Sequence, residues 1–254
     1  MGWDPEQYLT FADHRRRPAV ELLARVPAAA PERVVDLGCG AGNVTALLRA
    51  RWPKAHITGL DNSDAMLARA RATGLDCDWG NADIATWRPD RPVDVLFSNA
   101  ALQWLGGHDV LFPRLAGLVA PGGWLAIQIP DNRDETAHSL VVDTALDGPW
   151  RATLEPILRL APIHTAAAYY DMLTARAKSV DVWHTRYLQV LEGENPVVEF
   201  IKGSRLRPLL DALSEPARSD FEAEYARRVA AAYPPRGNGK TLFPFLRLFM
   251  VAGF

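Results

Sequence analysis

The chain of 254 residues has only two cysteines, Cys39 and Cys77, and their spacing is not that of metal ligands. A fold held together by a disulfide framework is therefore excluded, and a cytoplasmic protein is expected. No apolar run approaches the ~20 residues that a membrane-spanning helix needs. Residues 1–13 combine neither a basic start nor an apolar core, so no signal peptide is predicted.

An excess of basic residues is also missing, because 28 Lys and Arg stand against 30 Asp and Glu, a net charge of −2. Charge therefore gives no reason to expect nucleic acid or an anionic membrane as a partner. Internal repeats and low-complexity tracts are absent from the sequence. With 48% hydrophobic residues, the composition is that of an ordinary globular protein.

The most informative segment that is present is Val-Val-Asp-Leu-Gly-Cys-Gly-Ala-Gly at positions 34–42. A short β-branched run leads into a turn in which Gly38, Gly40 and Gly42 allow a sharp bend and close approach of a ligand. A second short strand ends in Asp61, which is placed to accept hydrogen bonds from both hydroxyls of a ribose. This arrangement predicts a nucleoside pocket at the carboxyl edge of a parallel sheet.

The spacing of the glycines indicates which nucleoside is bound. A dinucleotide fingerprint has the form G-x-G-x-x-G, whereas this chain has G-x-G-x-G preceded by Asp36. A carboxylate at that point would repel a pyrophosphate but suits an ammonium or a sulfonium. The element resembles the first motif of the class I S-adenosylmethionine-dependent methyltransferases, which implies S-adenosyl-L-methionine as cofactor and S-adenosyl-L-homocysteine as product. The alternatives are a plain glycine-rich turn or a nicotinamide-dependent dehydrogenase.

Strand-like runs alternate with helical periods in the first half of the chain. We expect strands near 33–37, 56–60, 75–80, 93–98 and 124–129, with helices near 43–51, 63–73 and 108–119. The fold class that follows is α/β, a Rossmann-like, doubly wound and mostly parallel sheet. Ser63 is the expected N-cap of the second of these helices.

The second half of the chain reads as helical blocks around two further strands. We predict one methyltransferase domain over 1–254 with a helical cap. Its expected parts are N-terminal cap helices in 1–30 (a helix near 6–26 with Pro18 in it), a cofactor-binding core in 31–130, cap insertions in 131–178 and 195–240, and terminal strands in 179–194 and 241–254.

Several residues are candidates for contact with the cofactor, each with a plainer alternative. Asp83 matches the acidic residue that commonly accepts from the adenine amino group in the methyltransferases that this sequence resembles, or it caps a helix. Asn99 contacts cofactor or substrate, or is a turn residue. Met66 packs on the ribose or adenine, or belongs to the core. The predicted cofactor set is Asp36, Gly38, Gly40, Gly42, Asp61, Asn62, Met66, Asn81, Asp83 and Asn99.

A closer resemblance extends along the whole chain, to the trans-aconitate 2-methyltransferase family of bacterial carboxyl methyltransferases. Ala41, where many relatives would have proline, departs from the pattern. The segments that carry the resemblance are Trp3-Asp4-Pro5, Tyr8-Leu9-x-Phe11, Arg15-x-Arg17-Pro18-Ala19, Val35-Asp36-Leu37-Gly38-Cys39-Gly40-x-Gly42-Asn43, Asn99-Ala100-x-Leu102-Gln103-Trp104, Gln128-x-Pro130-Asp131-Asn132, Ala168-Tyr169-Tyr170-Asp171, Leu206-Arg207-Pro208, Asn238-Gly239 and Arg247-Leu248-Phe249.

A tricarboxylate is a trianion at neutral pH, so this acidic chain must supply local cations to bind it. Arginine suits the task because its planar fork pairs bidentately with a carboxylate. Arg247, within an apolar strand, is the best candidate, since a buried arginine needs an anionic partner. Arg15, Arg16 and Arg17 could instead be a solvated basic face of the first helix. The predicted substrate set is Arg17, Gln103, Trp104, His164, Tyr169, Tyr170, Arg207 and Arg247.

The predicted partner is thus a small anionic carboxylate substrate, and the oligomeric state is left open. Because a carboxylate is already ionised at pH 7, we expect neither a catalytic acid or base nor a metal. One alternative is methyl transfer to a hydroxyl, amine or carbon of another metabolite, with His14, His108 or His164 as general base. Another is a non-catalytic protein that binds S-adenosylmethionine.

Overall fold

A computed structural model describes residues 12–158 and 163–254 of the chain. Seven strands form one sheet in the order β3-β2-β1-β4-β5-β7-β6. The strands are β1 Arg33–Leu37, β2 His56–Asp61, β3 Asp78–Asn81, β4 Val93–Asn99, β5 Val119–Pro130, β6 Ser179–Leu191 and β7 Thr241–Gly253. The pairs β1–β2, β1–β4, β2–β3 and β4–β5 are parallel, and β5–β7 is antiparallel.

Helices connect these strands. They are α1 Ala12–Ala24, α2 Asn43–Arg51, α3 Asp64–Ala72, α4 His108–Ala116, α5 Thr136–Asp147, α6 Arg151–Leu154, α7 Ala166–Thr174, α8 Pro196–Ile201, α9 Arg207–Asp211 and α10 Ala217–Ala232. Two 3₁₀ turns, Leu102–Trp104 and Glu155–Ile157, and a π-helical turn, Lys202–Leu206, complete the described elements. Among the residues that the structure describes, no helix is long and apolar enough to cross a membrane.

The predicted α/β fold with a mostly parallel sheet is confirmed. Its central strands β1 and β4 are buried along almost their whole length, as expected for strands covered on both faces. Ser63 is the N-cap of α3, because its hydroxyl accepts from the amide of Met66 at 3.4 Å.

Several boundaries differ from those expected, most of them by one to three residues. Strand β3 begins at Asp78 rather than at 75, because the chain after Gly74 turns so that the amide of Cys77 donates to the Leu75 carbonyl at 2.8 Å. Strand β5 begins at Val119 rather than at 124, and the Gly122 amide within it pairs with the Phe254 carbonyl at 2.7 Å. Helix α4 ends at Ala116, three residues early. The predicted helix start at 6–11, and the motifs in 3–11, lie outside the described residues.

The described residues form two compact units. The core unit comprises 13–130, 163–185 and 247–254, and the helical unit comprises 131–158 and 186–246. One apolar cluster fills the core unit, in which side chains of the central strands such as Leu37, Leu96 and Ile127 pack with α4 and α7. A second cluster, with Val141, Phe221 and Tyr225 among its members, belongs to the helical unit. Each unit therefore has an apolar interior of its own.

Gly59, in the middle of β2, is required by the tryptophan beside it. A Cβ at position 59 would stand 2.5 Å from Cζ3 and 2.6 Å from Cε3 of Trp79, on the neighbouring strand β3. The indole thus lies directly across the backbone of β2. A methyl group at this position cannot be accommodated unless the ring moves.

We therefore predict that Gly59→Ala lowers the free energy of unfolding by about 1–3 kcal/mol through overpacking, as measured by urea denaturation. In the double variant Gly59→Ala/Trp79→Leu, the penalty at position 59 should shrink. Gly237→Ala is the control, because nothing lies within 4 Å of its added Cβ. A Gly59 variant as stable as the parent would contradict the packing described.

Candidate active site

The glycine turn after β1 combines one crowded position with one open position. Gly38 has φ of 74°, and a Cβ there would stand 2.2 Å from the Cβ of Ala101. Gly40 has φ of 54°, and no heavy atom lies within 4 Å of where its Cβ would be. The first glycine lets the chain pack closely, and the second leaves room for a ligand against the backbone. Gly42, also at positive φ, precedes α2.

Asp61 ties the glycine turn to the end of β2. Its Oδ2 accepts from the Gly40 amide at 2.9 Å, and its Oδ1 accepts from the Ser63 amide at 2.9 Å. A carboxylate has about four acceptor positions, so two remain for other donors such as ribose hydroxyls. Asn62 is exposed within this turn, and Met66 is buried on α3.

Asp36 is a buried carboxyl group at the centre of the sheet. Its Oδ2 accepts from the Thr45 hydroxyl at 2.7 Å. Burial raises the pKa of Asp36 to about 7, with Thr45 lowering it and the negative charge of Asp61 raising it further. A cationic ligand nearby would favour the ionised carboxylate. The site is thus suited to a positively charged group.

Asn81, the last residue of β3, and Asp83, two residues further on, are both exposed and accept or donate local hydrogen bonds. The Asn81 amide donates to Oδ1 of Asp64 at 2.7 Å. One oxygen of Asp83 accepts from the Ala85 amide at 2.9 Å. Asp83 therefore closes a turn rather than capping a helix, because no helix lies among the described residues between β3 and β4. Its contact with adenine stays a prediction.

The loop after β4 holds a residue in a strained conformation. Ala100 has φ of 55°, which side chains other than glycine rarely adopt. Its amide donates to the Gln128 carbonyl at 2.9 Å, and its carbonyl accepts from Nε2 of Gln103 at 2.7 Å. Oδ1 of Asn99 and Oε1 of Gln103 are buried without a hydrogen-bond partner among the described residues. Strain and unmet acceptors at one loop are typical of a functional site.

Gln128 is a candidate site residue that lies outside the predicted cofactor and substrate sets. It is fully buried on β5, and Oε1 accepts from Nη1 of Arg247 at 3.1 Å. Because a guanidinium only donates, the amide oxygen faces Arg247 and Nε2 turns away. Nε2 is buried and has no partner within the described part of the chain. The sequence feature that could have identified Gln128 is a glutamine inside the apolar run Trp-Leu-Ala-Ile-Gln-Ile.

The sheet register brings the polar candidates to one face. Residues in register on neighbouring strands share a face, and so do residues two apart on one strand. The paired positions are Asp36 with Gly59 and Phe97, Asp61 with Asn81, Asn99 with Gln128, and Pro130 with Arg247. The residues that share the face are therefore Asp36, Asp61, Asn81, Asn99, Gln128 and Arg247. All of them belong to the core unit.

Of the three arginines predicted to bind substrate, Arg247 alone is buried, with 3% of its surface exposed. Arg17 pairs with Glu21 at 2.8 Å, and Arg207 pairs with Asp211 at 3.1 Å. Both are exposed i,i+4 ion pairs on helices, a spacing that places the partners side by side. Arg17 is thus exposed on α1, and Arg207 is exposed on α9 of the helical unit. The substrate roles of both residues stay predictions. The side chains of His14 and Arg15 lie outside the described residues.

Tyr169, predicted to bind substrate, is instead part of the apolar interior of the core unit. It is 0% exposed, whereas Tyr170 is 47% exposed and Trp104 56%. The Tyr169 hydroxyl lies 2.6 Å from Nδ1 of His108 and accepts from the amide of His164 at 3.2 Å. Its contacts are thus with neighbouring protein groups, because the helix α7 turns this position inward.

His108 links Tyr169 to the active-site loop. Nε2 of His108 lies 3.0 Å from the Leu102 carbonyl, which can only accept, so Nε2 carries the hydrogen and Nδ1 accepts from Tyr169. Burial lowers the pKa of His108, which favours the neutral ring. His164 lies 2.6 Å from Oδ1 of Asp109. Both nitrogens of His108 are engaged, which argues against His108 as a general base.

Comparison with known proteins supports this description. A family model described as "Methyltransferase domain" matches residues 34–123. Trans-aconitate 2-methyltransferase of Azoarcus sp. is 48% identical, covering 98% of each chain. The same-named protein of Methylobacterium nodulans is 49% identical, covering 98% of this chain and 97% of the relative.

Two solved structures share the fold. The YcgJ protein of Bacillus subtilis has a TM-score of 0.59 at 13% identity, covering 94% of this chain and 97% of its own. An S-adenosylmethionine-dependent methyltransferase of Mesorhizobium loti has a TM-score of 0.52 at 21% identity, covering 92% of this chain and 96% of its own.

The fold, the glycine turn and the acidic residues behind it define a class I methyltransferase. Within that class the relation is closer, since the curated relatives match over nearly their full length. The chain belongs to the trans-aconitate 2-methyltransferase family.

We predict that Tyr169→Phe lowers the free energy of unfolding by about 1–3 kcal/mol, because it removes the hydroxyl that donates to Nδ1 of the buried His108. Tyr170→Phe, on the adjacent exposed residue, should change it by less than about 0.5 kcal/mol. Urea denaturation of the two variants makes the comparison. Equal stabilities would show that the hydroxyl of Tyr169 does not stabilise the fold.

Proposed function

We propose that this protein transfers the methyl group of S-adenosylmethionine to a carboxylate of trans-aconitate, forming a monomethyl ester and S-adenosylhomocysteine. The observation that carries the proposal is the shared sheet face, on which Asp36 and Asp61 stand with the buried pair Gln128–Arg247. The names of the two curated relatives support the same substrate. We place the enzyme in the cytoplasm, with a small anion rather than nucleic acid or membrane as its partner.

The residues present fit the cofactor. Gly40 leaves open space against the backbone, Asp61 has acceptor positions for a ribose, and Oδ1 of Asn99 is a buried acceptor without a protein partner among the residues described. Asp36 offers a carboxylate to the positively charged end of the ligand. When bound, S-adenosylmethionine supplies a methyl group on a positively charged sulfur.

Arg247 and Gln128 present donors to the substrate. The guanidinium carries a permanent charge, and Nε2 of Gln128 is held in position by the bond between Oε1 and Arg247. Both side chains are almost completely buried, which keeps water from competing for the anion. Together they are suited to a carboxylate.

The chemistry determines which carboxylate Arg247 holds. The reacting carboxylate loses its charge as the ester forms, so a guanidinium bound to it would stabilise the substrate more than the transition state. We therefore assign Arg247 to a carboxylate that does not react. The reacting group needs no base, because a carboxylate is ionised at neutral pH. The enzyme's contribution is to hold this oxygen in line with the methyl group.

The central test is mass spectrometry of trans-aconitate after incubation with the protein and S-adenosylmethionine. The expected product is a monomethyl ester, formed together with S-adenosylhomocysteine. A panel of neutral alcohols and amines serves as the comparison. Turnover of such a compound with trans-aconitate left unchanged would overturn the proposed function.

Arg247→Met should raise the KM for trans-aconitate by roughly tenfold to a hundredfold, since a charge-assisted contact to a carboxylate is lost. The KM for S-adenosylmethionine should change little. Steady-state kinetics in which each substrate is varied in turn measures the two KM values separately. Arg151→Met, which removes an exposed arginine paired with Glu155, is the control. An unchanged KM for trans-aconitate would remove Arg247 from the substrate site.

Asp36→Asn should weaken S-adenosylmethionine binding about tenfold or more, because the carboxylate that faces the cation is lost, as measured by calorimetry.

Without cofactor, the stability of Asp36→Asn relative to the parent should increase as the pH rises towards 7. The reason is that the folded protein, with a raised pKa at Asp36, binds a proton that the unfolded chain releases, so the parent loses stability as pH rises towards 7. A Tm difference independent of pH would contradict this.

A further inference from the structure

Thr45, in the first turn of α2, directs its hydroxyl away from its own helix. The residue is 0% exposed, and its Oγ1 donates to Oδ2 of Asp36 at 2.7 Å. A threonine in a helix can instead bond the carbonyl four residues back, as Thr144 of α5 does with Leu140 at 2.6 Å. The Thr45 hydroxyl therefore ties the helix that follows the glycine turn to β1, the strand that precedes it.

Thr45 is the hydrogen-bond donor to the Asp36 side chain in the described part of the chain. Oδ1 of the carboxyl group has no donor among the described residues, and Asp36 is 1% exposed. Burial disfavours the charged form of a carboxyl group, because the charge is removed from water. A hydroxyl that donates to it opposes this effect, since a hydrogen bond to a charged acceptor is stronger than one to a neutral acceptor. Thr45 therefore favours the carboxylate and fixes its orientation.

The other titratable groups around Asp36 do not supply a positive charge. Burial raises the pKa of Asp36, the Thr45 hydrogen bond lowers it, and the negative charge of Asp61 on β2 raises it further. Burial also raises the pKa of the Cys39 and Cys77 thiols, and the charge of Asp36 adds to this effect, so both thiols are neutral near pH 7. Near neutral pH, the group that can keep Asp36 charged before a ligand binds is thus the Thr45 hydroxyl.

A structural role alone does not require this pair. Two apolar side chains of similar shape could pack here without the cost of burying a carboxyl group and a hydroxyl. Asp36 also shares its sheet face with Asp61 and Asn99, next to the glycine turn. The pair is understandable if the carboxylate receives the positively charged part of a ligand at that turn.

We propose that Thr45 is a positioning residue for S-adenosylmethionine, whose hydroxyl keeps the Asp36 side chain ionised and oriented towards a positive group of the cofactor. The hydroxyl occupies Oδ2, which leaves Oδ1 for the ligand. This role rests on the proposed contact between Asp36 and the cofactor. It does not depend on which molecule accepts the methyl group, because cofactor binding is measured without an acceptor.

The first test is calorimetry of S-adenosylmethionine binding to the full chain, comparing the parent with Thr45→Val from pH 6 to pH 8. Losing a hydrogen bond to a charged group changes an equilibrium about tenfold. The variant should bind about tenfold more weakly at pH 6, where Asp36 is mostly protonated in both proteins, and only about twofold more weakly at pH 8. The ligand's own amino group titrates equally in both experiments, so it does not affect the ratio. A ratio that is constant with pH would overturn the proposal.

Three further variants distinguish positioning from a structural role. Thr45→Ser keeps the hydroxyl and should recover most of the lost affinity. Thr144→Val removes an equally buried threonine hydroxyl in the helical unit and should leave the affinity unchanged. When Thr45→Val is added to Asp36→Asn, it should have little further effect, because the charge on which it acts is already absent. An equal loss in that background, or no recovery in Thr45→Ser, would assign Thr45 to structure alone.

Related ligands show which part of the cofactor Asp36 recognises. Adenosine has the nucleoside without either positive group, so the parent and Thr45→Val should bind it equally. S-adenosylhomocysteine keeps the ammonium but has a neutral sulfur. A ratio that persists with this ligand assigns Asp36 to the ammonium, and one that disappears assigns it to the sulfonium.

The failures of the two proposals are distinguishable. Equal weakening of adenosine and S-adenosylmethionine in Thr45→Val would overturn the role of Thr45 and leave the proposed methyl transfer intact. Binding of S-adenosylmethionine with the expected pH dependence, but without any methyl ester of trans-aconitate, would overturn the proposed function and leave the role of Thr45 intact.

Discussion

The proposed chemistry depends on one constraint, the burial of Arg247 on β7. A guanidinium cannot be left inside an apolar sheet face, so its position requires polar neighbours on the adjoining strands. Gln128 satisfies that need, with its amide oxygen bound to Arg247 and its nitrogen turned away. Because β7 runs antiparallel to β5, the register places Arg247 opposite Pro130, near the same strand ends where Asn99 and Asp61 lie. The polar face is thus a consequence of strand alternation.

Much of the fold and of the cofactor site could be predicted because their signals are local in sequence. The glycine turn, Asp36 and Asp61 follow from short segments whose geometry is set by a strand, a bend and a second strand. The alternation of strands and helices gave the order of elements in the same way. The start of β5 could not be predicted, since it involves a backbone pair with a distant residue, between the Gly122 amide and the Phe254 carbonyl.

Long-range packing decides which of the predicted substrate residues are buried and which are exposed. Tyr169 and Tyr170 are adjacent and chemically identical, yet only the packing of α7 decides that the first is buried and the second exposed. The sequence itself indicates that Arg17 can form an ion pair within its helix, because Glu21 stands four residues later. Asp211, four residues after Arg207, indicates the same for that arginine. Gln128 could have been identified as a polar residue in an apolar strand.

The carboxyl group of Asp36 has a consequence for the thermodynamics of ligand association. With a pKa near neutrality, a fraction of the molecules hold a proton at this position before any cation arrives. A sulfonium or ammonium that settles nearby favours the anion and expels that proton into the medium. Heats of association recorded near pH 7 will then include the ionisation enthalpy of the buffer, and will differ between phosphate and Tris in proportion to the protons released.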